Sequence, residues 1–85
     1  MIAIPIGIAR GADPDHVIKL LKGVAAAHPL LAKDPAPQVH VTFSPGALSF
    51  EFRAHTNYSE KWPEIRSQLT LAINSVLAKE NISTL

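Results

Sequence analysis

Bulky apolar residues alternate with small or polar residues, with a period of two, in three segments of the chain, which predicts three β-strands. The apolar positions are Ile2, Ile4, Ile6 and Ile8, then Val39, Val41 and Phe43, then Leu48, Phe50 and Phe52. Successive side chains of a strand point to opposite faces, so each segment has one apolar face for a core. Pro5 cannot donate to a ladder, and it therefore predicts that the first strand lies at a sheet edge or beside a bulge.

The turn Ser44-Pro45-Gly46-Ala47 joins the second and third segments and predicts a hairpin. If Phe43 lies opposite Leu48, the same register places apolar residues on one face of both strands and polar residues on the other, and His40 lies opposite Glu51. Pro-Gly suits a type II turn, whereas the tightest hairpins prefer primed types, and a four-residue loop would keep the same pairing. The register sends the apolar residues of both strands to the core and Glu51 to the open face.

Apolar residues that recur with a period of 3.6 residues predict a first helix, which starts at Asp13-Pro14-Asp15. Asp13 can accept from free amides, and Pro14 suits the first helical position. The helical stripe consists of Val17, Leu20, Leu21, Val24 and His28. Gly23 lies inside this helix at a cost of about 1 kcal/mol relative to Ala, which favours a close contact there.

A second helix is predicted from about Trp62 to Glu80. Its apolar stripe is Trp62, Ile65, Leu69, Ile73, Val76 and Leu77. Ser59 is a plausible cap, although Pro63 would fit better in the first turn. At the other end Asn81 can take the left-handed position and Ile82 can fold back on the helix. The tail from Ile82 onward could begin a further strand.

A stiff connector separates the first helix from the second strand, because Pro29, Pro35 and Pro37 each restrict the backbone. His28, at its start, is predicted to act as a C-terminal cation or a capping donor. The element order is β-α-β-β-α, within a single domain over residues 1–85. This order predicts an α+β fold, a ferredoxin-like split sandwich with strand order 1-3-2 and both helices on one face.

Composition narrows the possible functions. The formal net charge is +1, too small for a field that gathers nucleic acid, and the absence of cysteine excludes disulfides and thiolate metal sites. The four histidines lie on different predicted elements without metal-ligand spacing, so no metal or cofactor is expected. The uncharged run from Met1 to Ala9 is less than half a membrane span, and its abrupt start suggests a piece of a longer chain.

Two other functions fit the element order. A single-stranded RNA-binding module would need stacking rings on the open face of the third strand, where the register puts Glu51 and Arg53 instead. His40 and Glu51 could imitate an acid/base dyad, but a plain cross-strand polar pair explains them better. A small acylphosphatase-like hydrolase is the other alternative, and it would depend on Arg10.

The chain resembles the carboxy-terminal α/β domain of the small-conductance mechanosensitive (MscS-like) ion channel family, which includes potassium-efflux-type members. The resemblance rests on His28-Pro29, Pro35-Ala36-Pro37-Gln38-Val39, the strand from Leu48 to Arg53, and Trp62 followed by Glu64-Ile65-Arg66-Ser67, Leu69 and Ile73. It covers about Ile2 to Ile82. Arg10 stands where the family often has an aromatic residue, and Ser44 to Ala47 replaces a more polar turn.

This resemblance implies a non-catalytic domain of a bacterial inner-membrane channel that opens under bilayer tension and releases solutes or ions on osmotic downshift. Copies of the domain, seven in the family, would line a cytoplasmic vestibule with side portals, without touching membrane or nucleic acid. The pore helices would lie upstream of Met1. The candidate structural and contact residues are Pro5, His28, Pro29, Pro35, Pro37, Arg66 and Ile82.

Overall fold

The computed structural model describes residues 1–9 and 11–82, and its elements follow the predicted β-α-β-β-α order. They are β1 (Ile2–Ala9), α1 (Pro14–Ala27), β2 (Gln38–Ser44), β3 (Ala47–Ala54) and α2 (Trp62–Lys79), with a short 3-10 turn (Ser59–Lys61) before α2. The strands form one antiparallel sheet in the order β1-β3-β2. The α+β class and the strand order are therefore confirmed.

The β2–β3 hairpin has the predicted register. Phe43 pairs with Leu48 and His40 with Glu51. Because Ser44 pairs with Ala47, the loop has two residues rather than four. Gly46 has φ +74°, close to the value that a type II turn requires at its third position, so the Pro-Gly sequence determines the turn.

A single apolar core lies between the sheet and the two helices. Its members are the four isoleucines of β1, Phe50, Phe52 and Ala54 of β3, Val17, Leu21, Val24 and Ala25 of α1, Leu31, and Ile65, Leu69, Ile73 and Leu77 of α2. Both helices contribute to this one cluster, so they cover the same face of the sheet. Glu51 and Arg53 point to the opposite face, where they form an ion pair. Among the described residues no polar side chain is buried.

The apolar face of β2 departs from the sequence expectation, which placed it in the core. Val39 is half-buried, Val41 is 37% exposed and Phe43 is 84% exposed. Exposure thus rises along the strand toward the hairpin. β2 is an outer strand of the sheet, and near the hairpin its side chains with the correct parity remain uncovered by the helices.

α1 begins as predicted. Asp13 caps the helix through its Oδ1, which accepts from the Asp15 amide at 3.1 Å, and Pro14 takes the first helical position. The prediction of a close contact at Gly23 is wrong. Gly23 is exposed, and a Cβ placed on it would meet no atom within 4 Å. The residue lies on the solvent side of the helix, beside the buried stripe rather than in it.

α2 ends in a Schellman motif, as the sequence suggested. Asn81 has φ 57°, its amide donates to Ala78 O at 3.1 Å, and the Ile82 amide donates to Leu77 O at 2.9 Å. At the start, α2 begins at Trp62, so Pro63 falls in the first turn, and Ser59 does not cap it. The further strand that the sequence predicts for the tail from Ile82 onward falls mainly on residues 83–85, which lie outside the described residues. No helix in the described part of the chain is long and apolar enough to cross a membrane.

Candidate functional site

His28 joins three parts of the fold at the end of α1. Its backbone amide donates to Ala25 O at 3.2 Å. Its Nδ1 accepts from the Leu30 amide at 3.2 Å, and its Nε2 lies 2.8 Å from Oε1 of Gln68 on α2. An amide N–H can only donate, so Nδ1 carries no proton and Nε2–H donates to Gln68. The His28 ring therefore bridges the connector and α2 at the end of α1.

The first half of the connector is also bound to the residues that follow β3. Leu31 pairs with Thr56 in an isolated antiparallel bridge, and Leu31 is buried. The Ala32 amide donates to His55 O at 2.6 Å, and the Thr56 hydroxyl donates to Leu30 O at 2.7 Å. The connector is thus fixed in place by hydrogen bonds as well as by its prolines.

A groove of about 750 Å³ lies between the last turns of α1 and the connector. It is lined by Lys22, Ala25, Ala26, Ala27, His28, Pro29, Leu31, Ala32, Lys33, Ala36 and Pro37. Most of these side chains are small and apolar. The two lysines are exposed, and among residues 1–9 and 11–82 no carboxylate lines the groove. This combination makes the groove an apolar surface with a cationic rim.

The predicted contact residues fall in different places. His28, Pro29 and Pro37 meet at the groove, while Pro35 follows a cis Asp34–Pro35 peptide bond and does not line it. Pro5 is exposed on the outer strand β1, beside a small cleft of about 160 Å³ shared with α2. The predicted site residues therefore do not form one cluster.

The remaining two predicted residues lie on or beside α2. Arg66 is half-buried, and its carbonyl oxygen accepts from the Thr70 hydroxyl at 2.8 Å. Its guanidinium forms no ion pair within residues 1–9 and 11–82. Ile82 packs against the core as part of the α2 end. A structural role accounts for Ile82 without any further contact.

Sequence reasoning missed the exposed apolar surface at the hairpin end, formed by Val41 and Phe43. One signal could have revealed it. The strand order 1-3-2 makes β2 an outer strand, and two helices need not cover such a strand along its full length. The lysines of the groove were also missed, because the sequence does not show that Lys22 and Lys33 border one cavity.

The chemical alternatives gain no support from the geometry. His40 stands opposite Glu51 in the ladder, but its Nε2 contacts Gln38 Oε1 at 3.1 Å, while Glu51 pairs with Arg53. The described residues contain no group of three side chains that could hold a metal ion. Phe50 and Phe52 are buried, so neither ring is available for base stacking. Arg10, on which a hydrolase would depend, lies outside the described residues.

Comparison with known proteins agrees with the fold. The family model described as "Mechanosensitive ion channel MscS, C-terminal" matches residues 2–84. An uncharacterized MscS family protein of Haemophilus influenzae is 29% identical over 82 residues, which are 95% of this chain and 7% of that protein. The chain thus spans a small part of the relative. Since the family model covers nearly all of the sequence, the chain belongs to the mechanosensitive ion channel MscS family, as its C-terminal domain.

Proposed function

We propose that this domain is a non-catalytic wall element of a channel vestibule, on the cytoplasmic side of a bacterial inner membrane. The parent channel would open under bilayer tension and release solutes and ions, potassium included, on osmotic downshift. The observation that carries this proposal is the family match across residues 2–84, which is supported by the agreement of the fold with the sequence-based expectation.

A wall element must keep its shape in water, and the described residues suit that role. The core is wholly apolar, and the connector is held by the His28 bridge and by the Leu31–Thr56 pairing. The face of the sheet opposite the helices carries polar side chains and the Glu51–Arg53 ion pair. A polar face of this kind suits a water-filled vestibule, whose charged side chains tune the passage of ions.

Copies of the domain would be its partners, with seven expected from the family. Its outer strands β1 and β2 and the groove beside the connector are the surfaces on which we place the contacts between copies. Of the predicted residues, Pro5 would serve at the β1 edge and His28, Pro29 and Pro37 at the groove, with Pro35 and Arg66 at the periphery. The pore and the tension sensor would belong to other parts of the parent protein.

Survival of bacteria after osmotic downshock tests this function. In a strain that lacks its own release channels, the parent gene should restore survival, and Leu69→Asp should abolish the rescue because Leu69 is fully buried on α2. Leu71→Asp is the matched control on the same helix, since Leu71 is 70% exposed. The parent protein should also give pressure-activated currents in membrane patches. Full rescue by a parent protein without this domain would refute a role in the channel.

A further inference from the structure

Two ends of the domain combine exposed apolar side chains with charged ones. At the hairpin end, Phe43 and Val41 are the exposed apolar residues. Ile8 pairs with Leu48, which pairs with Phe43, so β1 also ends there, and α1 begins shortly afterwards. The first turn of α1 carries exposed Asp15. The hairpin end therefore combines exposed apolar side chains with an exposed carboxylate.

The groove lies at the opposite end of β2. Its lining extends to Pro37, immediately before Gln38, the first residue of β2. From Gln38 to Phe43 the strand spans about 17 Å at 3.4 Å per residue. Within the described part of the chain, Lys22, Lys33 and Asp15 form no ion pair. The groove thus has a mainly apolar lining with two lysines, beside exposed Asp34, and these lysines complement the Asp15 carboxylate.

We propose that the hairpin end of one copy docks into the groove of the next copy, with Phe43 as the buried anchor. This inference rests on the proposed function, which requires contacts between copies. The groove volume of about 750 Å³ falls in the ~300–1,000 Å³ range of ligand pockets, enough for a phenyl ring and its neighbours. Asp15 then approaches the lysines of the groove, which orients the two copies.

The contact is head-to-tail, because the two surfaces lie at different ends of the same molecule. Such heterologous contacts form a ring when the rotation between copies closes, and an open filament when it does not. A single aromatic anchor in a desolvated pocket typically dominates the affinity, while the charges mainly set the orientation. Phe43 should therefore matter more to association than either lysine.

Sedimentation equilibrium of the purified chain, at concentrations up to about 1 mM, tests the anchor. We expect self-association that Phe43→Ser weakens about tenfold or more, whereas Leu71→Ser leaves it unchanged. Both side chains are largely exposed, so neither change should unfold the domain, and circular dichroism checks this. A chain that stays monomeric, or an equal loss with Leu71→Ser, overturns the proposal.

Cysteine cross-linking tests the location of the contact, since the chain has no cysteine of its own. A mixture of Ala36→Cys and Pro45→Cys variants should form mixed disulfide dimers, while Ala36→Cys with Ser67→Cys, on α2, should not. All three positions are exposed. Lys22→Asp should reduce the mixed product severalfold, and adding Asp15→Lys to the other variant should restore it. Equal cross-linking of the two mixtures overturns the proposal.

The two proposals fail in different ways. If downshock rescue by the parent gene needs the domain but Phe43→Ser changes neither association nor cross-linking, the channel role stands and the groove contact is wrong. If the contact forms but deletion of the domain leaves rescue intact, the domain self-associates without serving the channel.

Discussion

Replacement of His28 by alanine removes the two side-chain hydrogen bonds that connect the end of α1 to the connector and to α2. The bond from the Leu30 amide is half-buried, and its loss leaves that amide without its acceptor, at a cost of about 1 kcal/mol. The bond to Gln68 is exposed, so water replaces part of it, and its loss costs about 0.5 kcal/mol. The expected destabilisation is about 1.5 kcal/mol.

Thermal and urea unfolding measure this change. For a domain of this size, about 1.5 kcal/mol corresponds to a Tm lower by about 6–12 °C. His40→Ala is the matched control, because the His40 side chain is exposed and its one hydrogen bond within the described residues is the 3.1 Å bond to Gln38. We expect the control to change the free energy of unfolding by less than about 0.5 kcal/mol.

A double-mutant cycle isolates the bond between His28 and Gln68. Gln68→Ala alone should cost about 0.5 kcal/mol, and in the His28→Ala background it should cost almost nothing. Nitrogen NMR of the imidazole should in addition show the proton on Nε2. Equal effects of His28→Ala and His40→Ala, or a proton on Nδ1, would show that His28 does not form this bridge.

Four further substitutions test the helix, the core and the turn. Gly23→Ala should stabilise the domain by about 0.5–1 kcal/mol, because a Cβ has open space there and alanine favours a helix; an unchanged urea midpoint would contradict this. Phe52→Ala should lower the free energy of unfolding by about 3–5 kcal/mol, whereas Phe43→Ala should lower it by less than about 0.5 kcal/mol in dilute solution. Similar losses for the two variants in urea unfolding would show that the two rings are equally buried. Gly46→Ala should lower the free energy of unfolding by about 1 kcal/mol or more, because a residue with a side chain is strained at φ +74°. A calorimetric Tm equal to that of the wild type would refute the turn assignment.

The elements and their pairing were accessible from the sequence because they depend on local patterns. Alternation of period two identified the strands, and the Pro-Gly turn between them left one register that sorted both faces. The right-handed crossover rule then placed β3 in the centre of the sheet. Asn81 likewise marked the end of α2, since few residue types take a left-handed conformation. The family resemblance followed from the same short segments, and the family model confirms it.

Which apolar side chains of the strands the helices cover was decided only by the tertiary structure. The pattern shows that Phe43 and Phe50 share a side of the sheet, but not that the helices cover one and leave the other exposed. The hydrogen bonds of His28 depend on the positions of Leu30 and of distant Gln68, and the groove depends on the path of the connector beside α1. Periodicity records which way a side chain points, whereas burial and hydrogen bonding depend on what other segments of the chain place against it.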